Sequence, residues 1–526
     1  MVLLIAATNV AALLLARAVQ RRREMAIRSA LGATRWDAMR PALAESLLIS
    51  LVGAVGGIAI AYGGVRTIGA VAAARMPQLE GLSIDARVAT LAIVLALVVG
   101  VICGAVPAWR GATADPQQAL GDGRGGGTGR EQHRALRALV LVEIALSLVL
   151  LVGAGLVLKA FLQLSHNDPG FDTAHVLTMQ VTVPAAAYQN GDGVKRVLEP
   201  GLAAIRGAPG VESAGAINLI PFVSWGNNSN IRYEGQPEAD PTTFPIVEQR
   251  VVDPGYFQVT QQHLLAGRLL APGDDERPGV PFVVVVNQAL VQRDFKGENP
   301  VGRRFYIGES TFGTIVGVVS DVRNVGPFEP PAPEMYATYR QANSDATSFP
   351  LMIRVRGSDP ALATAGIRAV LRRVSPAAAM SDIRTMPEVI AQSLGLPRFY
   401  LSMFASFAAV ALILAVAGLY GVLSYSVAQR TREIGIRAAL GSTQGALVRL
   451  MALDGARLVA GGLLLGCIGG ALLTRLMVFM LYGVSPLDAA TWVLAAAALS
   501  VAAVAATLVP ARRAAKVDPL IAIRME

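Results

Sequence analysis

Residues 20–34 read QRRREMAIRSALGAT, and residues 429–443 read QRTREIGIRAALGST. The two stretches align without a gap at an offset of 409, which sets Glu24 against Glu433 and Arg28 against Arg437. Each directly follows an apolar run and precedes another. The likeness returns further along, where residues 107–120 (PAWRGATADPQQAL) parallel residues 510–523 (PARRAAKVDPLIAI), with proline, arginine, Asp-Pro and alanine in step. Two matches in the same order mark an internal duplication. The architecture is therefore read as one helical unit used twice.

Each repeated stretch has the chemistry of a short amphipathic helix lying under a bilayer. Glu24 and Arg28, like Glu433 and Arg437, stand four apart in the favourable order for a side-chain pair, worth roughly 0.3 kcal/mol. Ile27 with Leu31, and Ile436 with Leu440, form a narrow apolar stripe on one face. Arg23 and Arg432 add positive charge beside it, and Gly32 and Gly441 supply the left-handed stop. Thr34, with Asp37 three residues later, is placed to cap the next helix.

A helix this short is marginal alone and needs a partner surface or the headgroup region to hold it. Lipid anchoring would account for the arginines. It does not require the same ordered Arg-Glu-x-x-Ile-Arg pattern twice. Docking onto a two-fold symmetric partner does require two equivalent handles.

Composition points the same way. Of 526 residues, 53% are apolar and only 16% charged, which is outside the usual range for a soluble globular chain. The net charge of +9 sits beside apolar runs rather than along aromatic-studded strands. That favours membrane-flanking charge over nucleic-acid binding. Cys103 and Cys467 both fall inside apolar runs and behave as small hydrophobes, so neither a disulfide framework nor a metal site is expected.

Apolar runs long enough to cross about 30 Å of hydrocarbon lie near 2–19, 43–65, 88–109, 136–158, 399–427, 458–481 and 489–509, giving seven expected spans. The first is followed by Arg21, Arg22 and Arg23 and lacks a basic segment before it, unlike a signal peptide. Clustered basic residues also flank the other runs: Arg28, Arg35 and Arg40; Arg110, Arg130, Arg134 and Arg137; Arg430, Arg432 and Arg437; and Arg512, Arg513, Lys516 and Arg524 in the tail. Alternating spans put all of these on the cytoplasmic side and residues 165–397 on the other.

That exported stretch is composed differently. β-rich runs at 176–183, 282–286, 314–319 and 351–355 are broken by Pro and Gly turns, and helical patterns appear at 193–206 and 360–374. A mixed α+β domain with its own core and two lobes is expected. Its His166, His175 and His263 and its acidic Asp274, Asp275 and Glu276 show no catalytic or metal spacing. The stretch 274–278 reads as a solvated turn. Residues 121–129 (GDGRGGGTG) read as a flexible linker rather than a nucleotide loop, since no Gly-Lys-Ser/Thr follows.

On these residues the chain resembles the MacB/FtsX-type ABC permeases, and especially the fused double permeases called acidobacterial duplicated orphan permeases. The resemblance covers essentially the whole chain. It rests on the two Arg-Glu-x-x-Ile-Arg-x-Ala-Leu-Gly segments, the Pro-Ala-x-Arg...Asp-Pro pieces, and the stretches Gly267-Arg268, Val285-Val286-Asn287 and Ile315-Val316-Gly317-Val318-Val319. It implies a membrane α-helical fold with one large extracytoplasmic domain of the MacB periplasmic kind.

The implied units are 1–120, three C-terminal spans of a first permease unit; 121–135, a cytoplasmic linker; 136–164, the first span of a second unit; 165–397, the extracytoplasmic domain; and 398–526, a three-helix domain. Because the first unit would lack its own first span and exported domain, the resemblance also implies a start upstream of Met1. The implied function is that of a bacterial inner-membrane permease subunit, without catalytic residues, that couples ATP hydrolysis by a separate ATPase to export or mechanotransmission across that membrane. ATP would be bound by a separate ABC ATPase dimer, with no cofactor or metal on this chain and no nucleic-acid partner. The docking helices would be Arg23, Glu24, Ile27, Arg28, Leu31 and Gly32, and Arg432, Glu433, Ile436, Arg437, Leu440 and Gly441. A periplasmic adaptor or envelope protein is a further implied partner. Alternatives are a non-transporting signal transmitter that regulates an envelope enzyme, and an orphan permease without an ATPase.

Three other features bear on mechanism. The run 399–427 makes roughly 44 Å of helix, so it must tilt or protrude, with Phe399 and Tyr400 at one end and Tyr420 and Tyr425 at the other marking the interfaces. Glu143 lies about two turns inside an apolar run, where relief by Arg137 or the headgroups is expected. Glu45 and Asp454 share the offset of 409, which suggests a common task at the membrane boundary.

Overall fold

The structure is a computed structural model that describes residues 1–20, 34–72, 83–112, 128–184, 193–223, 226–237, 244–274, 282–307, 311–326, 329–342, 346–357, 360–429 and 442–515. It divides into a helical unit, Met1–Leu162 with Pro397–Glu526, and a mixed unit, Gln163–Leu396.

Four helices come first: α1 (Val2–Gln20), α2 (Arg35–Ala72), α3 (Ala86–Ala112) and α4 (Thr128–His166). There follow β1 (Val176–Thr182), a π-helical turn Val194–Leu198, α5 (Glu199–Arg206), β2 (Val211–Ala216), β3 (Asn227–Tyr233) and β4 (Ile246–Val252). The middle of the mixed unit holds α6 (Tyr256–Thr260), β5 (Leu264–Gly267), β6 (Phe282–Asn287), α7 (Gln288–Phe295), β7 (Arg304–Ile307) and β8 (Thr311–Val319). It ends with β9 (Glu334–Thr338), α8 (Tyr339–Ala342), β10 (Ser348–Val355), a 3-10 turn Pro360–Ala363, α9 (Thr364–Val374), β11 (Ala379–Thr385) and α10 (Met386–Ser393). The last helices are α11 (Gly395–Gln429), α12 (Gln444–Leu473), a 3-10 run Thr474–Met480, and α13 (Ala489–Ala515).

Among the described residues six segments are long and apolar enough to cross a membrane: Met39–Thr67, Ala86–Ala105, Arg134–His166, Gly395–Ser424, Ala452–Met480 and Ala489–Leu508. α1 adds a shorter apolar stretch, Val2–Leu15. These fall on the seven runs expected from sequence. The chain is a multi-pass membrane protein with a mixed extracytoplasmic domain, as its composition demands.

The helical unit is organised around α4. Leu136, Val140, Ile144, Leu148, Val152 and Leu156 recur every four residues and are almost wholly buried. In lipid, apolar burial gives little net drive, so close backbone approach matters more than hydrophobicity. The glycines of α12 provide it. A Cβ at Gly462 would stand 2.6 Å from Ile144 Cβ, and one at Gly466 would stand 3.0 Å from Leu148 Cβ. Any side chain there would push the helices apart.

The two halves also pack their hairpins alike. In the first, Ser46 of α2 fits against Gly104 of α3, where a Cβ would meet Ser46 Cβ at 2.7 Å. In the second, Gly455 of α12 faces Thr507 of α13, whose Cγ2 would lie 2.7 Å from an added Cβ. The repeat aligns Ser46 with Gly455 and Gly104 with Thr507. The contact is kept while the small and large members exchange sides.

In the mixed unit an antiparallel four-stranded sheet runs β11-β1-β10-β2, and a seven-stranded sheet runs β5-β8-β6-β9-β4-β3-β7. β7 also pairs with β8, closing the larger sheet on itself. β6 is buried on both faces. Val283 and Val285 join one core with Tyr256 and Tyr336, while Val284 and Val286 join another with Leu290 and Phe305, as a two-residue period requires. A third core, with Leu202, Ile205, Phe349, Ile353 and Ile367, lies under the smaller sheet.

The sequence signatures of this domain have local causes. Gly267 sits at φ +72° on β5, and a Cβ at Gly317 of β8 would stand 2.1 Å from Arg268 O, so glycine at Gly267 and Gly317 lets the two strands meet. Asn287 ends β6 and caps α7, its side chain accepting from Leu290 N at 3.0 Å.

Candidate functional site

The expected docking residues Arg23, Glu24, Ile27, Arg28, Leu31, Gly32, Arg432, Glu433, Ile436, Arg437, Leu440 and Gly441 all lie outside the described residues. Their flanks are described. α1 is described as far as Gln20 and α11 as far as Gln429, while α2 opens after Thr34 and α12 after Thr443, two residues related by the offset of 409.

Both threonines cap. Thr443 accepts from Ala446 N. Thr34 Oγ1 accepts from Asp37 N at 3.3 Å and donates to Asp37 Oδ2 at 2.5 Å, the reciprocal arrangement expected from sequence. The hydrogen bonds from Thr34, side chain first and then backbone, hold the Asp37 carboxyl below its ordinary range.

Deeper in the helical unit the two repeats touch at equivalent positions. The offset that relates Glu24 to Glu433 relates Asn9 to Gly418 and Ile5 to Leu414. Asn9 Nδ2 donates to Leu414 O at 3.1 Å, and a Cβ at Gly418 would stand 2.4 Å from Asn9 Oδ1. Val2, Ile5, Ala411 and Leu414 share one small core. A pair of elements that meet through their own counterparts packs about a local two-fold axis.

Glu143 of α4 closes this crossing. It is 2% exposed, and Asn9 Nδ2 donates to its Oε1 at 2.5 Å. The expected relief by Arg137 is not what the fold provides. Arg137 turns instead to Asp454, 3.8 Å away, and the carboxylate finds an amide 134 residues distant in sequence. Asp454 also meets Arg457 at 3.5 Å. Beside the crossing lies a cavity of about 320 Å³ bordered by Ala6, Asn9, Leu13, Leu136, Gly418 and Val422.

The mixed unit carries features that sequence reading did not find. Glu334, Arg250, Asn324 and Tyr336 form a buried network: Arg250 Nε donates to Glu334 Oε1 at 3.1 Å, and Asn324 Nδ2 and Tyr336 Oη donate to Oε2 at 2.7 and 2.5 Å. Burial pushes the Glu334 carboxyl upward against the opposing pull of Arg250. Asp274, expected in a solvated turn, is 8% exposed and takes two hydrogen bonds from Arg268, at 2.7 and 2.9 Å. Residues 275–281 lie outside the described residues.

A cleft of about 600 Å³ runs beside α5. Its walls hold the ion pairs Glu199–Arg340 and Arg206–Asp253, and Leu198 and Leu270 line it as well. Burial raises the Asp253 carboxyl, and Arg206 opposes the shift. Among the described residues no group of His, Cys, Asp and Glu has the geometry of a metal site.

Comparison with known proteins matches the FtsX-like permease C-terminal family over residues 1–116 and 405–519. The MacB-like periplasmic core domain family matches residues 138–373. The chain is 28% identical over 196 residues to the macrolide export ATP-binding/permease protein MacB of Aggregatibacter actinomycetemcomitans, covering 36% of this chain and 29% of that protein. It is 36% identical over 118 residues to the uncharacterized ABC transporter permease YknZ of Bacillus subtilis (strain 168), covering 22% and 28%. It is 36% identical over 126 residues to the pyoverdine export ATP-binding/permease protein PvdT of Pseudomonas aeruginosa, covering 23% and 18%. The chain thus spans less than a third of the length of these three relatives. Among solved structures, the periplasmic region of MacB from Actinobacillus actinomycetemcomitans matches with a TM-score of 0.29 and 16% identity, over 44% of this chain and 97% of that one.

Proposed function

We propose that this chain, an ABC-type permease of the MacB/FtsX kind built of FtsX-like permease and MacB-like periplasmic core domains, relays the closure of a separate ATPase dimer across a bacterial inner membrane. The ATPase dimer binds and hydrolyses ATP. This chain performs no chemistry and supplies two handles, Arg23 to Gly32 and Arg432 to Gly441, one for each ATPase subunit.

The observation that carries this reading is the meeting of Asn9 and Gly418 at equivalent positions of the two repeats. A local two-fold axis there gives both handles the same relation to a two-fold motor beneath them. α11 runs 35 residues without interruption, roughly 52 Å, and so outruns a hydrocarbon core of about 30 Å. A continuous helix of that length can carry motion from one side to the other. The relatives whose names include export favour movement of a solute over pure signalling. The two handles in one chain favour a fused double permease of the acidobacterial duplicated kind.

The test is charge reversal at the second handle, Glu433→Arg with Arg437→Glu, in the full chain co-purified with its ATPase. Loss of stimulated ATPase activity with the chain still inserted is the expected result. Unchanged stimulation rejects the docking role. ATP-dependent movement of a labelled compound in vesicles separates an exporter from a signal transmitter that moves nothing.

A further inference from the structure

Strand direction brings Asp253 and Tyr339 together. β4 and β9 run parallel with Val252 opposite Thr338, so the residues that follow, Asp253 and Tyr339, leave the sheet at the same end. Both line the cleft of about 600 Å³ beside α5. Asp253 Oδ1 accepts from Arg206 Nη2 and from Gly255 N, which leaves Oδ2 without a hydrogen bond among the described residues. Tyr339 is 2% exposed, and its buried hydroxyl has no hydrogen-bond partner among the described residues. Phe349 fixes the ring edge to face, 5.9 Å between centroids, so the hydroxyl is held where it stands. A buried hydroxyl is costly while its hydrogen bonds are unmade.

We propose that this cleft is a binding site for a small aliphatic primary amine, whose ammonium bridges Asp253 Oδ2 and Tyr339 Oη while its chain lies against Leu198 and Leu270. The volume is within the usual range of small-molecule sites, about 300–1,000 Å³. Asp253 and Tyr339 do not hydrogen-bond each other, so one donor group has to reach both oxygens. An ammonium with two or more N–H groups does so, and each bond to it is charge-assisted.

The charge of the walls selects a cation over an anion. Glu199, Asp253 and Asp274 line the cleft with two guanidiniums, Arg206 and Arg340, while Arg268, which pairs with Asp274, is not in the lining. Burial holds the Asp253 carboxyl above its ordinary value even with Arg206 beside it, as expected where its charge is only partly met. Burial and then the Asp253 charge raise the Tyr339 phenol, which therefore stays protonated and offers the ammonium a neutral oxygen. A tertiary amine has one N–H and cannot serve both oxygens. A bridging water could reach both, but would leave the excess charge of the walls unmet.

The experiment titrates the full chain, in lipid nanodiscs, with hexylamine and follows saturation transfer from protein to ligand by NMR. Saturable binding is expected, and hexanol or N,N-dimethylhexylamine should bind about tenfold more weakly or worse. Tyr339→Phe should weaken hexylamine by about tenfold, the worth of one hydrogen bond to a charged group. It should leave the unfolding midpoint unchanged or higher, because the hydroxyl has no protein partner to lose. Asp253→Asn should weaken binding further. The proposal is overturned if the folded parent shows no saturable binding, if hexanol matches hexylamine, or if Tyr339→Phe binds as the parent does, which would leave the hydroxyl to water. A lowered midpoint for Tyr339→Phe also overturns it, as does tighter binding of acetyl-lysine methylamide than of hexylamine, which would assign the cleft to a lysine side chain of a polypeptide. No readout involves an ATPase, so this failure and that of the docking reading are separate outcomes.

Discussion

Asn9 and Glu143 join the first repeat to the central helix of the second, Nδ2 to Oε1 at 2.5 Å, with Glu143 only 2% exposed. A carboxylate there is costly unless it is satisfied, and Asn9 donates to it. Asn9→Leu should therefore destabilise the helical unit by about 1–3 kcal/mol, the penalty for a stranded buried polar group. Asn9→Leu with Glu143→Leu should recover most of that, because both polar partners are removed together. Thermal unfolding in detergent checks this, and an unchanged midpoint for Asn9→Leu alone would show that the hydrogen bond contributes nothing.

The exchange of Ser46 and Gly104 for Gly455 and Thr507 predicts a compensation. Gly455→Ser puts a side chain where Thr507 Cγ2 would stand 2.7 Å from its Cβ, and overpacking of that kind costs about 1–3 kcal/mol. Adding Thr507→Gly recreates the arrangement of the first hairpin, and should restore the unfolding midpoint to near that of the parent. If the double variant is as weak as the single, the two hairpins do not share a packing rule.

Acid should weaken the mixed unit through Asp172. Its Oδ2 meets His175 Nδ1 at 2.8 Å and Arg354 Nη1 at 3.1 Å, and the His175 hydrogen bond is the main cause that lowers its carboxyl below the ordinary value. A lowered folded-state value contributes stability above the unfolded value of about 3.9, and that contribution is lost as pH falls through the lower folded value. Hydrogen exchange of β10 in the full chain should therefore speed up between about pH 4 and pH 2 more in the parent than in Asp172→Asn, after correction for intrinsic exchange. Parallel profiles would remove Asp172 from the account.

Much of this architecture could be read from the chain because its signals are local or repeated. The apolar runs found the spanning helices, the β-rich run at 282–286 found β6, and the pattern at 360–374 found the 3-10 turn and α9. Gly267 and Gly317 stood out in sequence, and their reason is a close approach of two strands. What escaped was long-range pairing between unlike residues. Nothing near Glu143 names Asn9, nothing near Arg250 names Glu334, and Asp274 looked solvated because Arg268, six residues earlier, gives no hint of turning back on it. The docking residues remain an inference from repetition and chemistry.

The crossing of α1 with α11 also says which halves can mate. Two first halves brought together would press Asn9 on Asn9, crowding two amides where only one has room. Two second halves would face Gly418 with Gly418 and leave Glu143 without the Asn9 amide. One of each fits. The polypeptide thus distinguishes self from complement at a single point on its axis, and joining the halves in one chain fixes them at one to one at every assembly.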